Sequence, residues 1–181
     1  LIDAYGNRTT YVRDAASRPT AVIDALGYRT SFIYDAQNRP SATMNALGYT
    51  WTSTYDSLGN VASQIDPLGN RVTYAYTYGQ QVSDLSPLGY LSTTVYDKSN
   101  RPTANIDALG NRTSYIYDSG CRLQATVNPL GFRSTSVFDK GRLVATVDPL
   151  GARTTINYDS RGNQVSSQNP LGFLSTTVYD S

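Results

Sequence analysis

One four-residue phrase recurs down the whole chain of 181 residues and constrains its fold more than any other feature. The phrase starts with Asp, Asn or Ser, continues with Pro or Ala and then Leu or Tyr, and ends with Gly. Its nine glycines lie 20 or 21 residues apart, at Gly6, Gly27, Gly48, Gly69, Gly89, Gly110, Gly131, Gly151 and Gly172. Self-similarity at a fixed period of this length is typical of repeat architectures, in which each unit packs on its neighbours.

The chemistry of this first phrase is that of a turn. A polar side chain at its first position can accept backbone hydrogen bonds, Pro or Ala at the second suits a φ of about −60°, and Gly at the fourth can adopt a left-handed conformation. These preferences predict a type I turn followed by a bulge. The predicted structural turn residues, taken in pairs, are Asp24 and Gly27, Asp66 and Gly69, Asp107 and Gly110, and Asp148 and Gly151.

A second phrase, an aromatic residue followed in most copies by Asp, keeps step with the first. Its aromatic members form a predicted structural ladder of Tyr34, Tyr55, Tyr76, Tyr96, Tyr117, Phe138, Tyr158 and Tyr179. The loops at Asp35, Asp56 and Asp97 again begin with Asp and reach Gly or Asn three residues later, whereas the copies at Thr77 and Asp139 are one residue shorter. We expect the aromatic rings of successive hairpins to stack and hold the strands in register. The open alternative is that the ladder binds carbohydrate or a protein partner.

The segments between turns are about six residues long, the usual length of a β-strand. One of them alternates Leu123, Ala125 and Val127 with polar residues, as a half-buried strand does. The chain has no Glu, only two Lys and 15 Tyr, a composition that favours strands over helices. We therefore predict an all-β fold: about eight antiparallel β-hairpins of 20 or 21 residues, roughly seventeen strands, in a long coiled, spiral or tubular sheet. Residues 1–181 are predicted to be a single continuous array of about eight and a half repeats.

The composition excludes most catalytic chemistry. There is no His and only one Cys, Cys121, so no His-based acid or base, no Ser-His or Cys-His nucleophile and no zinc site of nitrogen and sulfur ligands can be built. Carboxylate pairs such as Asp107 with Asp118, or Asp148 with Asp159, are the remaining candidates for catalysis. However, 13 of the 14 Asp begin a turn, and Asp84 is the exception. We predict no enzyme, no cofactor and no metal site.

Thirteen arginines give a net charge of +1 together with two Lys and the 14 Asp, and eleven of them form two series in phase with the repeat. One series follows the turn Gly by two residues, and the other lies in the loops after the aromatic ladder. Their members are Arg8, Arg29, Arg71, Arg112, Arg133 and Arg153, and then Arg18, Arg39, Arg101, Arg122 and Arg142. A polyanion-binding groove is one hypothesis, but we expect each Arg to pair with a turn Asp of its own or the next hairpin. We predict no nucleic-acid partner and no membrane insertion.

The two phrases in phase resemble the YD repeat of the Rhs/YD-repeat family. Residues 138–151, which read Phe-Asp-Lys-Gly-Arg-Leu-Val-Ala-Thr-Val-Asp-Pro-Leu-Gly, are similar to that motif, and the resemblance covers the entire chain. In that family the repeats form β-hairpins that coil into a large spiral sheet. In bacterial Rhs proteins and insecticidal toxin complexes the spiral encloses a toxic C-terminal domain, and in teneurins a related shell belongs to an adhesion protein.

The resemblance implies a non-enzymatic structural scaffold of a secreted or cell-surface bacterial protein, as a shell, stalk or filament wall. The alternatives are a fragment of a toxin-enclosing Rhs cage and an adhesion surface that binds carbohydrate or a receptor. The implied partners are other repeats or copies of the same protein, an encapsulated toxin domain, or surface glycans. Neither end of the chain has a polar cap, so we expect a segment of a longer array or a protomer whose ends are covered by other copies.

Overall fold

The computed structural model describes residues 1–179, and all regular elements in that part of the chain are β-strands. The chain divides into two compact units. The first is Leu1–Leu91, and the described part of the second is residues 92–179. The first unit holds β1 Thr10–Arg13, β2 Pro19–Ile23, β3 Arg29–Tyr34, β4 Pro40–Met44, β5 Thr50–Tyr55, β6 Val61–Ile65, β7 Arg71–Thr77 and β8 Gln80–Leu85. From the boundary onward follow β9 Leu91–Tyr96, β10 Pro102–Ile106, β11 Arg112–Tyr117, β12 Leu123–Val127, β13 Arg133–Asp139, β14 Arg142–Val147, β15 Arg153–Tyr158, β16 Gln164–Gln168 and β17 Leu174–Thr176.

Every strand pairs antiparallel with the next one in sequence within each of two meanders. The pairings run from β1 to β8 and from β9 to β17. The predicted fold class, an all-β array of antiparallel hairpins with a period of 20 or 21 residues and seventeen strands, is confirmed. The coiled, spiral or tubular form of the sheet and its continuity over residues 1–181 stay predictions.

The first phrase forms the turn at one end of the strands. The N–H of Gly27 donates to the carbonyl of Asp24 at 3.0 Å, and the N–H of Asp24 donates to the carbonyl of Tyr28 at 3.0 Å. The same bond joins Gly69 to Asp66, Gly110 to Asp107 and Gly151 to Asp148, at 3.0, 2.9 and 3.0 Å. The nine first-phrase glycines have φ between 81° and 89°, the left-handed conformation that closes a type I turn with a bulge.

The loops at the other end of the strands use the same turn with less glycine. Asn38 and Asn100 take the left-handed position there, with φ of 64° and 58°, which is consistent with the tolerance of Asn for this conformation. In the two shortened copies both central residues have positive φ, 51° and 78° for Tyr78 and Gly79 and 44° and 88° for Lys140 and Gly141. That pair of angles is typical of a two-residue type I′ turn, so deleting one residue changes the turn type.

The buried core of each unit consists of small residues at one repeat position. Four of the five buried residues of the described chain are Ala21, Ala104, Ala125 and Ala145, and the fifth is Ser63. Together with the half-buried Ala42, Ser83 and Ser166 they occupy one position in successive hairpins. We call these eight residues, four in each unit, the central column.

The residue opposite the central column changes with the column residue. Ala104 faces Val95, Ala125 faces Ile116 and Ala145 faces Val137 across the strand pair. At two of the three Ser positions of the column the neighbour supplies a hydrogen bond: the Ser63 hydroxyl lies 2.8 Å from the Thr54 hydroxyl, and Asn157 Nδ2 donates to Ser166 Oγ at 3.0 Å. The buried hydroxyl of Ser63 is therefore matched by a polar partner, as burial requires.

The chain exposes more of its surface to water than a compact protein of its mass does. Its accessible surface is 12477 Å², whereas a compact protein of this mass would expose about 8,600 Å². With so small a core, the backbone ladder and the contacts between neighbouring turns must carry a large share of the stability.

Candidate functional surface

The turn carboxylates are occupied by hydrogen bonds from their own loops. Asp107 Oδ1 accepts from the backbone N–H groups of Leu109 and Asn111, both at 2.9 Å, and Asp107 Oδ2 accepts from Asn111 Nδ2 at 2.8 Å. Asp66 is held in the same way by Leu68 and Asn70. Each of these carboxylates accepts three hydrogen bonds and so holds its own loop together.

The hydrogen bonds also fix the charge of these groups. The Asn111 side chain and then its backbone N–H lower the pKa of Asp107. For Asp118, the backbone N–H of Arg122 and then its guanidinium lower the pKa in the same direction. A carboxyl group with a lowered pKa is a poor general acid near neutral pH.

The predicted carboxylate pairs are kept apart by the fold. Asp107 precedes β11 and Asp118 follows it, so they lie at opposite ends of a strand of six residues, about 20 Å long. Asp148 and Asp159 flank β15 in the same manner. The carboxyl groups of a glycosidase stand within about 10 Å of one another, so neither pair has the geometry of such a site.

The pH dependence of stability follows from these pKa shifts. Nine turn carboxylates have lowered pKa values in the folded chain, namely those of Asp3, Asp14, Asp35, Asp56, Asp66, Asp97, Asp107, Asp118 and Asp159. The stability they contribute is present above the unfolded pKa of about 3.9 and is lost as the pH falls through the folded values. We expect the melting temperature to stay constant between about pH 7 and pH 5 and to fall steadily below about pH 4. A melting temperature that rises on acidification from about pH 5 to 3 would contradict the conclusion that the charged turn carboxylates stabilise the fold.

Four arginines of the second series bind the Asp of their own loop. The pairs are Arg18 with Asp14, Arg39 with Asp35, Arg101 with Asp97 and Arg122 with Asp118, at 2.6 to 2.7 Å. For these four the predicted pairing with a turn Asp is confirmed. Within residues 1–179 the first series behaves differently, because Arg29, Arg112 and Arg133 donate to a Ser or Thr two residues on, and Arg71 to Ser63.

The same arginines reach the next hairpin. The Arg39 guanidinium carbon lies 4.3 Å from the centre of the Tyr55 ring, and Arg39 Nη1 donates to the Asp56 carbonyl at 3.4 Å. Arg18 similarly covers Tyr34 and donates to Asn38. The remaining contacts of this kind are Arg101 over Tyr117 at 4.7 Å, Arg122 over Phe138 at 4.6 Å and Arg142 over Tyr158 at 5.7 Å. We call each Asp, Arg and following aromatic ring a turn clamp.

The aromatic ladder is therefore interleaved with guanidinium groups. Its hydroxyl groups are also engaged: Tyr34 donates to the Pro19 carbonyl at 2.9 Å, and Tyr55 to the Pro40 carbonyl at 2.7 Å. Tyr117, Tyr158 and Tyr179 make the equivalent bond to Pro102, Leu143 and Gln164. Tyr76 and Tyr96 are half-buried at the same repeat position. In Tyr34, Tyr55, Tyr117 and Tyr158 both the ring face and the hydroxyl group are therefore in contact with other residues of the chain.

The turn clamp was not foreseen from the sequence, although a signal for it is present. In all five observed contacts the Arg precedes the ring it covers by 16 residues. A constant offset between a cation and an aromatic residue in successive repeats indicates a contact between neighbouring units.

A double-mutant cycle on Arg39 and Tyr55 tests the clamp. We expect Arg39→Met and Tyr55→Leu to be less than additive in urea unfolding, with a coupling free energy of about 0.5–1 kcal/mol. The matched control is Arg29→Met in place of Arg39→Met, because Arg29 contacts only its own strand through Ser31. Additivity in the Arg39 cycle, or equal coupling in the control, would contradict a stabilising contact between Arg39 and Tyr55.

A groove in the first unit and a free thiol are further features outside the turn clamps. A groove of about 310 Å³ in the first unit is lined by Trp51, Gln64, Asp66 and Val72, and Asp66 there is already bound to its own loop. Cys121 is exposed as a free thiol. Across residues 1–179, acidic and Cys side chains form no group of three that could hold a metal ion. The same stretch contains no helix long and apolar enough to cross a membrane.

Comparison with known proteins identifies the repeat. The family model described as RHS Repeat matches residues 13–50, 34–71 and 139–174, together just over half of the chain. No curated protein matches at a significant level.

Several solved structures match the chain, among them three that contain TccC3. A TcdB2-TccC3-Cdc42 structure matches at 13% identity and a TM-score of 0.44, covering 90% of this chain and 11% of that one. The Photorhabdus luminescens Tc holotoxin pore with a TccC3 mutation matches at 13% identity and a TM-score of 0.46, covering 93% and 15%. A TcdB2-TccC3 structure matches at 16% identity and a TM-score of 0.39, covering 89% and 12%. The chain thus spans less than a sixth of the length of these proteins.

Proposed function

Because the chain belongs to the RHS repeat family, we propose that it is a non-enzymatic structural scaffold, a length of wall in a larger particle of a secreted or cell-surface bacterial protein. The observation that carries this proposal is that the Asp and Arg side chains make contacts within one turn or between neighbouring turns. The Asp are bound by their own loops, and the Arg connect consecutive hairpins.

The way in which a scaffold of this kind works is mechanical. Neighbouring hairpins are joined by the backbone ladder, and at five places also by an Arg that covers the next aromatic ring, so that shear between hairpins is opposed at the strands and at these loops. Cation–aromatic contacts contribute about 0.5–1 kcal/mol each at exposed sites, which is small singly but recurs along the array. A wall can therefore be extended by adding repeats, without a new core for each addition.

The finer proposal is that the particle is a closed shell around a toxin domain, as the family resemblance implies. Negative-stain electron microscopy of the native protein that contains this chain tests it. Closed hollow particles support the shell, and long fibres support a filament wall within the same scaffold class. Compact solid particles of globular shape would contradict both.

An adhesion surface is the competing function, and the ladder provides its test. The chain and its Tyr117→Ala variant are compared on a glycan array, with far-UV circular dichroism to show that both are folded. The scaffold proposal expects no glycan signal that depends on Tyr117, because its hydroxyl group is bound to Pro102 and its ring is covered by Arg101. Binding that is lost in the folded variant would favour adhesion instead.

A further inference from the structure

One end of the strands carries a row of almost fully exposed leucines. They occupy the third position of eight of the nine first-phrase turns, where Tyr5 takes the place of Leu in the first. Their side chains are 77 to 89% exposed: Leu26, Leu47, Leu68 and Leu88 in the first unit, and Leu109, Leu130, Leu150 and Leu171 in the second. We call the four leucines of the first unit the leucine rim; the four of the second unit stand at the same turn position in that unit. So regular an exposure of large apolar groups marks an interaction surface.

The turn itself does not require leucine. The loops at the other end of the strands contain turns with the same backbone bonds, such as Gly59 to Asp56 and Asn100 to Asp97. At their third position stand Ala16, Gln37, Leu58, Ser99, Gly120 and Arg161, of which only one is Leu. Two sets of turns with one geometry thus differ in composition, and the difference must come from what each set contacts outside its own hairpin.

The residues around the leucines are apolar as well. Pro or Ala precedes each Leu. An aromatic side chain follows two residues later in several turns, including Tyr28, Tyr49 and Phe173, which are 58, 51 and 69% exposed. The carboxylates of this rim are turned to their own loops, as at Asp66. The rim therefore offers a partner an apolar strip with its charges already satisfied.

The spacing and area of the rim suit a second rim of the same kind. Since one Leu occurs for every two strands, neighbouring leucines within a unit are about 10 Å apart. A second rim has the same spacing by construction, so every Leu of one can lie between two of the other. The rim and the exposed aromatic side chains of the same turns in the first unit, Tyr5, Tyr28, Tyr49 and Tyr90, number eight; at on the order of 100 Å² each they give roughly 800 Å² per copy, the area that one partner contributes to an interface of standard size.

We propose that the leucine rim is an interface between two copies of this chain, packed rim to rim about a twofold axis. Such an isologous contact uses the same patch on both partners, which a row of identical turns provides. The net charge of +1 leaves little electrostatic repulsion against pairing. This interface does not depend on the scaffold function, because a wall without it would remain a wall.

Sedimentation velocity of the chain at increasing concentration tests the interface. We expect a reversible dimer that is weakened at least tenfold when Leu26, Leu47, Leu68 and Leu88 are all replaced by Asn, a residue that turns accept readily. A sharper comparison uses single changes in one unit: Leu68→Asn should weaken the dimer and Leu58→Asn should not, although the two side chains are 84 and 81% exposed. Circular dichroism and melting temperature establish that each variant is folded.

Three results would overturn the interface. The first is a wild-type chain that stays monomeric at high micromolar concentration. The second is equal weakening by Leu58→Asn and Leu68→Asn, which would indicate unspecific apolar contact. The third is a fourfold variant that dimerises as tightly as the wild type, which would place the contact at the exposed strand edges.

Discussion

Replacing Gly131 with Val is expected to lower the free energy of unfolding by about 1–3 kcal/mol, because a β-branched residue is forced into a left-handed backbone conformation. Gly131 has a φ of 82°, and its N–H closes the turn by donating to the Asn128 carbonyl at 2.9 Å. A Cβ built at Gly131 meets no atom within 4 Å. The penalty is therefore one of backbone conformation, with no steric clash to confuse it.

The chain supplies its own control for this substitution. Asn38 and Asn100 occupy the equivalent left-handed position in loops at the other end of the strands, with φ of 64° and 58°. Gly131→Asn should accordingly cost clearly less than Gly131→Val in chemical denaturation. If both variants unfold at the wild-type urea midpoint, the turn at residues 128–131 is not as described.

Replacing Ala104 with Leu is the second change with a large expected effect, because the central column has no room for a longer side chain. Ala104 has 0% of its surface exposed and lies between Val95 of β9 and Ser114 of β11. Overpacking at such a position costs typically about 1–3 kcal/mol. We expect a loss of this size in the free energy of unfolding from urea titration.

The control for the column is Ala75→Leu. Ala75 lies in the middle of β7 and faces the column residue Ser83, but it is itself exposed. The same substitution in the same kind of strand should therefore leave the urea midpoint almost unchanged. Equal losses at Ala75 and Ala104 would show that strand propensity, and not packing of the column, sets the cost.

The strands and turns could be predicted from the sequence because the information for them is local. Asp at the first position and Gly at the fourth determine a turn within four residues, as the bonds between Gly110 and Asp107 show. Nine copies in phase then leave a meander as the simplest topology. The shortened loops were placed correctly at residues 77–80 and 139–142, but their change to a two-residue turn with positive φ at Tyr78 and Lys140 depends on strand register.

The turn clamps and the central column could not be predicted because they join residues in different hairpins. That Arg39 covers Tyr55 depends on which loops stand side by side at one end of the sheet. Similarly, Ala125 was expected to share an apolar face with Leu123 and Val127, but in the structure Ala125 is buried and Leu123 is 42% exposed. Alternation identifies a face, whereas burial depends on the partners across two neighbouring strands.

The Asp and Arg side chains of this fold make structural contacts within and between the turns. Carboxylates that looked like a reserve of catalytic groups are distributed to opposite strand ends and bound there, as for Asp107 and Asp118. Arginines that could have formed an anion groove are instead turned onto Asp and aromatic rings. Asp180 lies outside the described residues.

A cryo-electron microscopy map of the native protein that contains this chain, traced through residues 1–181, tests the scaffold account most directly. The account predicts consecutive antiparallel strands about 4.8 Å apart in the wall of a larger particle, with the side chains of Asp107 and Asp118 hydrogen-bonded within their own loops. A map in which these two carboxylates converge on a bound substrate or metal ion would contradict it.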